Sequence, residues 1–160
     1  MDQVEVKLNL IIDGMKKKEA ALREAAGITE NQSTVLDSAL SKDEILAFIV
    51  TMNREKQQHI QTVINCDHLF ERILKEIGPS LDANPDLYKP QIGEIQKMIR
   101  QVMDLDVAIR VQEEKNSDKM LKLNRTIRAG DPPVAKQSPA ITDEKRVIKA
   151  YEENSKNYKG

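Results

Sequence analysis

Aromatic residues and cysteine are almost absent from this sequence. Phenylalanine and tyrosine together make up 3% of its 160 residues, and tryptophan does not occur. The one cysteine, Cys66, cannot form a disulfide within the chain, which favours a reducing compartment. Charged residues reach 32%, and many charges with few aromatics favour helices with solvated faces over a sheet or an aromatic core. We therefore expect an all-α protein.

Long apolar runs and clusters of basic residues are also lacking. No stretch approaches the ~20 consecutive apolar residues that a helix needs to cross a bilayer. The N-terminal MDQVEVKLNLIIDGMKKK lacks the basic start, followed by an apolar core and a cleavage site, that makes up a signal peptide. The net charge is −1 and lysine and arginine are spread along the chain, whereas nucleic-acid binding favours a basic stripe. We expect a cytoplasmic protein that neither enters membranes nor binds nucleic acid.

Three segments carry apolar side chains at alternating spacings of three and four, which is typical of helices packed side by side. They cover about residues 4–40, 42–77 and, after a loop, a segment that ends near residue 129. Two glycines weaken the first segment by ~1 kcal/mol each, and AAGITENQS at 25–33 is a possible break. The spacing predicts a domain over residues 1–130, in which long antiparallel helices form a three-helix bundle or coiled coil.

Helix-end signals divide these segments. Ser41 and Glu44 have the spacing of a capping box and predict the start of the second helix. The Gly-Pro-Ser sequence at 78–80 predicts its end near residue 77. Asn84 or Asp86 is a candidate cap for the third helix, and Pro90 suits its first turn.

The apolar stripe of the third segment turns polar at 112–119, QEEKNSDK. Either this part of the helix leaves the bundle or it faces a partner, and we expect a solvated, loosely packed end. Beyond it, three prolines at 131–141 predict a linker. Residues 142–160 then form a flexible tail or a short amphipathic helix, which is marginally stable alone.

Residues 53–73 hold both histidines and the cysteine, which raises the question of a metal or catalytic site. His59 and Cys66 are one heptad apart, so ~10 Å of helix axis separates them, whereas zinc bonds are near 2 Å. We therefore expect no metal, cofactor or catalytic residue here. Cys66 is predicted to be a small core residue, and Lys56 and His59 to be polar positions that help to set helix register. His68 is expected on the surface.

The chain has no Gly-rich phosphate loop, Walker motif or nucleophile elbow. Helices without a pocket of convergent polar groups indicate a binding protein rather than an enzyme.

Residues 10–63 combine a polar segment, TENQSTVLDSAL, a capped helix start, SKDEILAFI, and a Lys- and Gln-rich segment, REKQQHI. In this layout they resemble the FlgN family of flagellar export chaperones, and LDVAIRVQEEKNSDKMLKLN at 105–124 is similar to the family's third helix. The similar layout covers roughly residues 4–128. The resemblance implies a cytoplasmic chaperone that binds C-terminal amphipathic helices of hook–filament junction proteins, prevents their premature assembly and delivers them to the flagellar export apparatus. It implies no catalytic residue.

Two alternatives stay open: a FliT-like chaperone of the filament cap, and a structural or regulatory coiled-coil protein that self-associates. Homo-oligomers are possible for either. Methionine adapts to varied apolar partners, so the third helix offers candidate partner-binding residues, as does the apolar side of the tail. These candidates are Met98, Met103, Met120, Val147, Ile148 and Tyr151.

Overall fold

The computed structural model of the protein describes residues 2–130, with side chains to residue 125, as three long helices packed against each other. Helix α1 spans Gln3–Leu36, α2 spans Lys42–Ala83 and α3 spans Lys89–Gly130. Within residues 2–130 there is no strand, so the predicted all-α helical bundle is confirmed. The predicted linker, 131–141, and tail, 142–160, lie outside the described residues.

Helix α1 runs without a break through residues 25–33, where the sequence suggested one. Ala25, Ile28, Thr29 and Gln32 are all buried in this stretch. Burying a continuous stripe outweighs the ~1 kcal/mol that Gly27 costs in a helix. The helix ends at Leu36, short of the predicted residue 40.

Helix α2 begins as predicted and ends later. The amide of Glu44 donates to the Ser41 hydroxyl (3.3 Å), and the amide of Ile45 donates to the Ser41 carbonyl (2.9 Å). The predicted end near residue 77 is wrong, because the helix continues through Pro79 to Ala83. Proline already has a helical φ, but it lacks an amide hydrogen and its ring crowds the carbonyl four residues earlier, so packing of the helix must offset this cost. The amide of Asn84 still donates to the Ser80 carbonyl (3.2 Å).

Helix α3 has Pro90 in its first turn, as predicted. The expected caps, Asn84 and Asp86, are not at its start. The amide of Ile92 donates to the carbonyl of Tyr88 (3.0 Å), which places Tyr88 at the cap position. The Tyr88 side chain is buried, and its hydroxyl donates to Asp2 Oδ2 (2.9 Å). Tertiary packing of this ring therefore decides where α3 starts.

The chain divides into two compact units. Unit 1 comprises Met1–Glu24 and His59–Val107, and unit 2 comprises Ala25–Gln58 and Ala108–Gly160, described as far as residue 130. Each unit contains a segment of all three helices. In unit 1 the first parts of α1 and α3 pack with the last part of α2, which is the antiparallel order that the short connections predict.

The core of unit 1 is apolar. Many of its buried side chains lie on the predicted stripes of the helices, but Ile60 is buried although it lies outside the predicted stripe of α2, and Cys66 on that stripe is only partly buried. The described part of this unit contains no buried polar residue other than the tyrosine at position 88. The buried side chains are Leu8, Ile11, Ile12, Met15, Ala21, Leu22, Ile60, Ile73, Ile77, Tyr88, Ile95, Met98 and Val102.

The core of unit 2 combines apolar and polar residues. Ile45, Ile49 and Met120 form a buried cluster, against which Leu36 and Leu123 pack. One heptad further along the helices, the buried positions become polar. The core of unit 2 therefore contains buried groups that need specific hydrogen-bond partners.

Candidate functional site

Six polar or charged side chains are buried in unit 2, two from each helix. Buried polar groups must find hydrogen-bond partners, since leaving them unpaired costs free energy. We call this group the polar layer; it consists of Thr29, Gln32, Asn53, Lys56, Glu113 and Asn116.

Helices α1 and α2 are joined by the amide of Gln32. Its Nε2 donates to Oδ1 of Asn53 (2.7 Å), and its Oε1 accepts a hydrogen bond from Nζ of Lys56. Both polar ends of one side chain are thus used, and both contact α2. This arrangement holds only when Gln32 lies level with Asn53 and Lys56.

Helices α2 and α3 are joined by an ion pair between Nζ of Lys56 and Oε1 of Glu113. Lys56 is 1% exposed and Glu113 is 3% exposed. Burial is the main influence on Lys56 and lowers its pKa below the ordinary value, while the attraction of Glu113 opposes that change. In this conformation a dissolved substrate cannot reach either group.

Helices α1 and α3 are joined at Thr29. Its hydroxyl lies 2.7 Å from the carbonyl oxygen of Ala25 and 3.3 Å from Oε1 of Glu113. Nδ2 of Asn116 donates to the carbonyl of Thr29 (2.9 Å), and Oδ1 of Asn116 accepts from Gln112 (2.9 Å). The polar layer therefore links every pair of helices in the unit.

The polar layer corrects one expectation from the sequence. Residues 112–119 were predicted to form a solvated, loosely packed end, but Glu113 and Asn116 are among the most buried residues of the chain. The sequence did contain the signal. Thr29, Gln32 and Lys56 occupy inward positions of their own stripes, where they can pair with the polar residues of α3.

Among residues 2–125, no three histidine, cysteine or acidic side chains come together as metal ligands. His68 is exposed, as predicted, and His59 is partly buried. Cys66 is also partly buried rather than in the core, and burial raises the pKa of its thiol. A raised pKa disfavours the nucleophilic thiolate.

The structure places the predicted partner-binding residues in different environments. Met98 is buried in the core of unit 1, and Met120 is buried in the core of unit 2. A partner could contact either one only after helices separate. Met103, in unit 1, is 60% exposed. The other three candidates, Val147, Ile148 and Tyr151, lie outside the described residues.

Unit 1 exposes further apolar side chains near Met103. Val107 lies one helical turn beyond it on α3 and is 58% exposed, and residues four apart share a helix face. We call Met103 and Val107 the α3 apolar pair. The buried residues of this stretch, Met98 and Val102, occupy the opposite side, so the pair points away from the core of unit 1.

Three contacts show how α1 and α2 are aligned in unit 1. Ion pairs join Lys7 to Glu76 (3.1 Å) and Lys18 to Asp67 (2.6 Å). A Cβ atom added to Gly14 would lie 3.8 Å from Leu69 Cδ2.

These three contacts are consistent with a single antiparallel register of α1 and α2 in this unit. The same register places Leu10 level with Leu74 along the helix axes, and both leucines are exposed.

Comparisons with protein-family models, with curated proteins and with solved structures give no significant match. Within the described part of the chain, no helix combines the length and the apolar character that crossing a membrane requires.

Proposed function

We propose that this protein is a cytoplasmic flagellar export chaperone. Its clients would be hook–filament junction proteins, held through their C-terminal amphipathic helices and then passed to the export apparatus. The proposal combines the FlgN-like sequence features with the surface of unit 1. A chaperone of this kind catalyses no bond chemistry, so it needs an accessible apolar surface rather than an active site.

The α3 apolar pair is the observation that carries this proposal. An amphipathic helix binds by placing apolar residues at spacings of three and four against an apolar face of its partner. Met103 and Val107 present such a face, with more than half of each side chain exposed. Methionine adapts its shape to varied apolar partners, which suits a protein that binds more than one client.

Leu10 on α1 and Leu74 on α2 add exposed apolar area to unit 1, and Lys7 and Glu76 add charges of both signs. A client helix with an apolar face and mixed charges along its edges suits a surface of this composition. Because an unfolded client loses conformational entropy on binding, the net affinity stays moderate and release remains possible.

Isothermal titration calorimetry of the full chain with client peptides tests the proposal. The peptides come from the C-terminal ends of hook–filament junction proteins and of a filament-cap protein. We expect saturable binding at micromolar concentrations (roughly −8 kcal/mol) with a negative heat-capacity change from apolar burial. Preference for the cap peptide would favour the FliT-like alternative.

A matched pair of variants localises the binding surface. Met103→Glu places a charge in the α3 apolar pair, and Phe48→Glu places the same charge on unit 2, where Phe48 is 49% exposed. We expect the first variant to weaken peptide binding about tenfold, by ~1.4 kcal/mol, and the second to bind normally. If both variants bind the peptides with equal affinity, the α3 apolar pair is not part of the binding surface.

If no peptide binds and the chain instead associates with itself as its concentration rises, the chaperone proposal fails. The coiled-coil alternative would then account for the long helices. Analytical ultracentrifugation of the same samples distinguishes these results.

A further inference from the structure

We infer that the polar layer selects one register of the three helices among several that their apolar stripes would allow. Helices with repeated apolar positions can slide past one another by one heptad, ~10.5 Å, and still place apolar residues face to face. The described helices are long enough for such slides. A polar layer penalises them, because only one register pairs its six residues with each other.

Helix α2 shows the effect most directly. A slide of one heptad in either direction replaces Lys56 by Ile49 or Val63. Glu113 would then be a buried carboxylate that faces an apolar side chain and has lost its ion-pair partner. A buried charge without a partner is strongly unfavourable, so both slid arrangements of α2 are rejected.

Slides of α1 are unfavourable because they remove hydrogen-bond partners from α2. A one-heptad slide replaces Gln32 by Ala25 or Ala39, and neither side chain can accept the hydrogen bond of Lys56. Asn53 loses its donor in the same step. The arrangement seen in the structure is the only one of the three that satisfies both α2 residues.

One of the two heptad slides of α3 still places a carboxylate at the level of Lys56, but this arrangement is unfavourable as well. That slide brings Asp106 to the level of Glu113, but it also brings Ile109 to the level of Asn116. The hydrogen bond from Asn116 to the carbonyl of Thr29 is then lost, and Glu113 itself moves to the level of Met120, which packs with Ile45 and Ile49. The opposite slide brings Met120 to the level of Glu113 and removes the charge altogether.

The layer is better suited to selecting a register than to adding stability. Transferring a lysine and a carboxylate from water into a protein core is costly, and an apolar core of the same volume is often at least as stable. Oε2 of Glu113 is buried and accepts no hydrogen bond from the described residues. A pair with an unsatisfied oxygen recovers only part of its desolvation cost.

The test is a variant that converts the whole layer to apolar residues. Register is measured as distances between spin labels on exposed positions of unit 2, introduced two at a time in a Cys66→Ala background. The label sites are Glu30→Cys on α1, Arg54→Cys on α2 and Asp118→Cys on α3. The layer variant carries Thr29→Val, Gln32→Leu, Asn53→Leu, Lys56→Met, Glu113→Leu and Asn116→Leu.

A control variant changes the apolar core of unit 2 and leaves the layer intact. We expect one sharp distance distribution for each label pair in the wild type and in the control. The layer variant should melt at or above the wild-type temperature and show a second distance population, shifted by several ångströms. The control substitutions are Ile45→Leu, Ile49→Leu, Ile109→Leu and Met120→Leu.

Two results would overturn the inference. A folded layer variant with wild-type distances would mean that the apolar stripes alone fix the register. An unfolded layer variant would mean that the layer supplies the stability of unit 2 instead of choosing among stable packings. Neither result depends on whether the protein is a chaperone.

Discussion

Units 1 and 2 draw on the same three helices, yet their cores are held together by different interactions. The buried residues of unit 1 are apolar apart from a tyrosine hydroxyl, whereas unit 2 buries an ion pair and four further polar side chains. Both units expose some apolar side chains, among them the α3 apolar pair on unit 1 and Phe48 on unit 2.

The comparison shows that heptad spacing and side-chain chemistry carry separate information. Spacing determines which residues face inward in both units. The type of side chain determines whether an inward position can pack against any apolar neighbour or needs one particular hydrogen-bonding or ionic partner. Unit 2 therefore specifies its packing more narrowly than unit 1.

The largest expected effect comes from breaking one ion pair in each unit. Lys56→Met leaves Glu113 buried without its partner, which should lower the free energy of unfolding by about 3–5 kcal/mol. Lys18→Met removes the ion pair with Asp67 in unit 1, where Asp67 is 48% exposed. That loss should stay within about 1 kcal/mol. Denaturant titration measures both, and equal losses would mean that burial does not distinguish the two pairs.

A smaller loss is expected for Cys66→Ala in unit 1. Cys66 is partly buried, so removing its sulfur should cost about 1 kcal/mol or less. Thermal unfolding gives the value, and the neighbouring exposed His68→Ala is a control that should change little. Loss of client binding with an unchanged melting curve would show that Cys66 has a role beyond packing.

A gain in stability is expected at Gly27 in unit 2. A Cβ atom added there would meet no atom within 4 Å. Gly27→Ala should therefore raise the free energy of unfolding by about 0.5–1 kcal/mol, because alanine loses less backbone entropy in a helix. Chemical denaturation provides the measurement. A decrease would indicate that α1 needs the flexibility of glycine at this point.

The smallest effect is a pH dependence at the start of unit 1. The carboxylate of Asp2 accepts hydrogen bonds from the amide of Glu5 (2.7 Å) and from Tyr88. The Glu5 amide is the main cause that lowers the pKa of Asp2 below its ordinary value of 3.8. Its stabilising contribution is therefore present above that ordinary value and is lost as the pH falls through the lowered, folded-state pKa.

Comparing the wild type with Asp2→Asn over that acidic range tests this contribution. The stability difference between the two proteins should shrink as the pH falls. A difference that is constant across the range would show that the charge of Asp2 does not matter.

Much of the fold follows from local features of the sequence. The spacing of Leu8, Ile11, Met15 and Leu22 predicts the buried stripe of α1, and the structure buries all four. The Ser41 cap and Pro90 in the first turn of α3 are also correct, since a cap depends on only a few neighbouring residues.

The errors occur where tertiary packing competes with a local signal. Gly78 and Pro79 predict a helix end, but α2 continues past them to Ala83. The polar run at 112–119 predicts a solvated end, but Glu113 is buried and forms an ion pair with Lys56, which is distant in the sequence. Of the predicted partner-binding residues, Met120 lies on the inward stripe of α3 and Met98 lies beside it, so their burial follows from the spacing along their own helix.

By itself, the sequence determined the helical class, the inward stripes and the positions at which those stripes become polar, because each depends on spacing along one helix. Only the tertiary structure decided that these polar positions meet in one layer and which side chains pair within it. The physical reason is that hydrogen-bond satisfaction and burial belong to pairs of side chains on different helices. Such pairs exist only after the chain has folded.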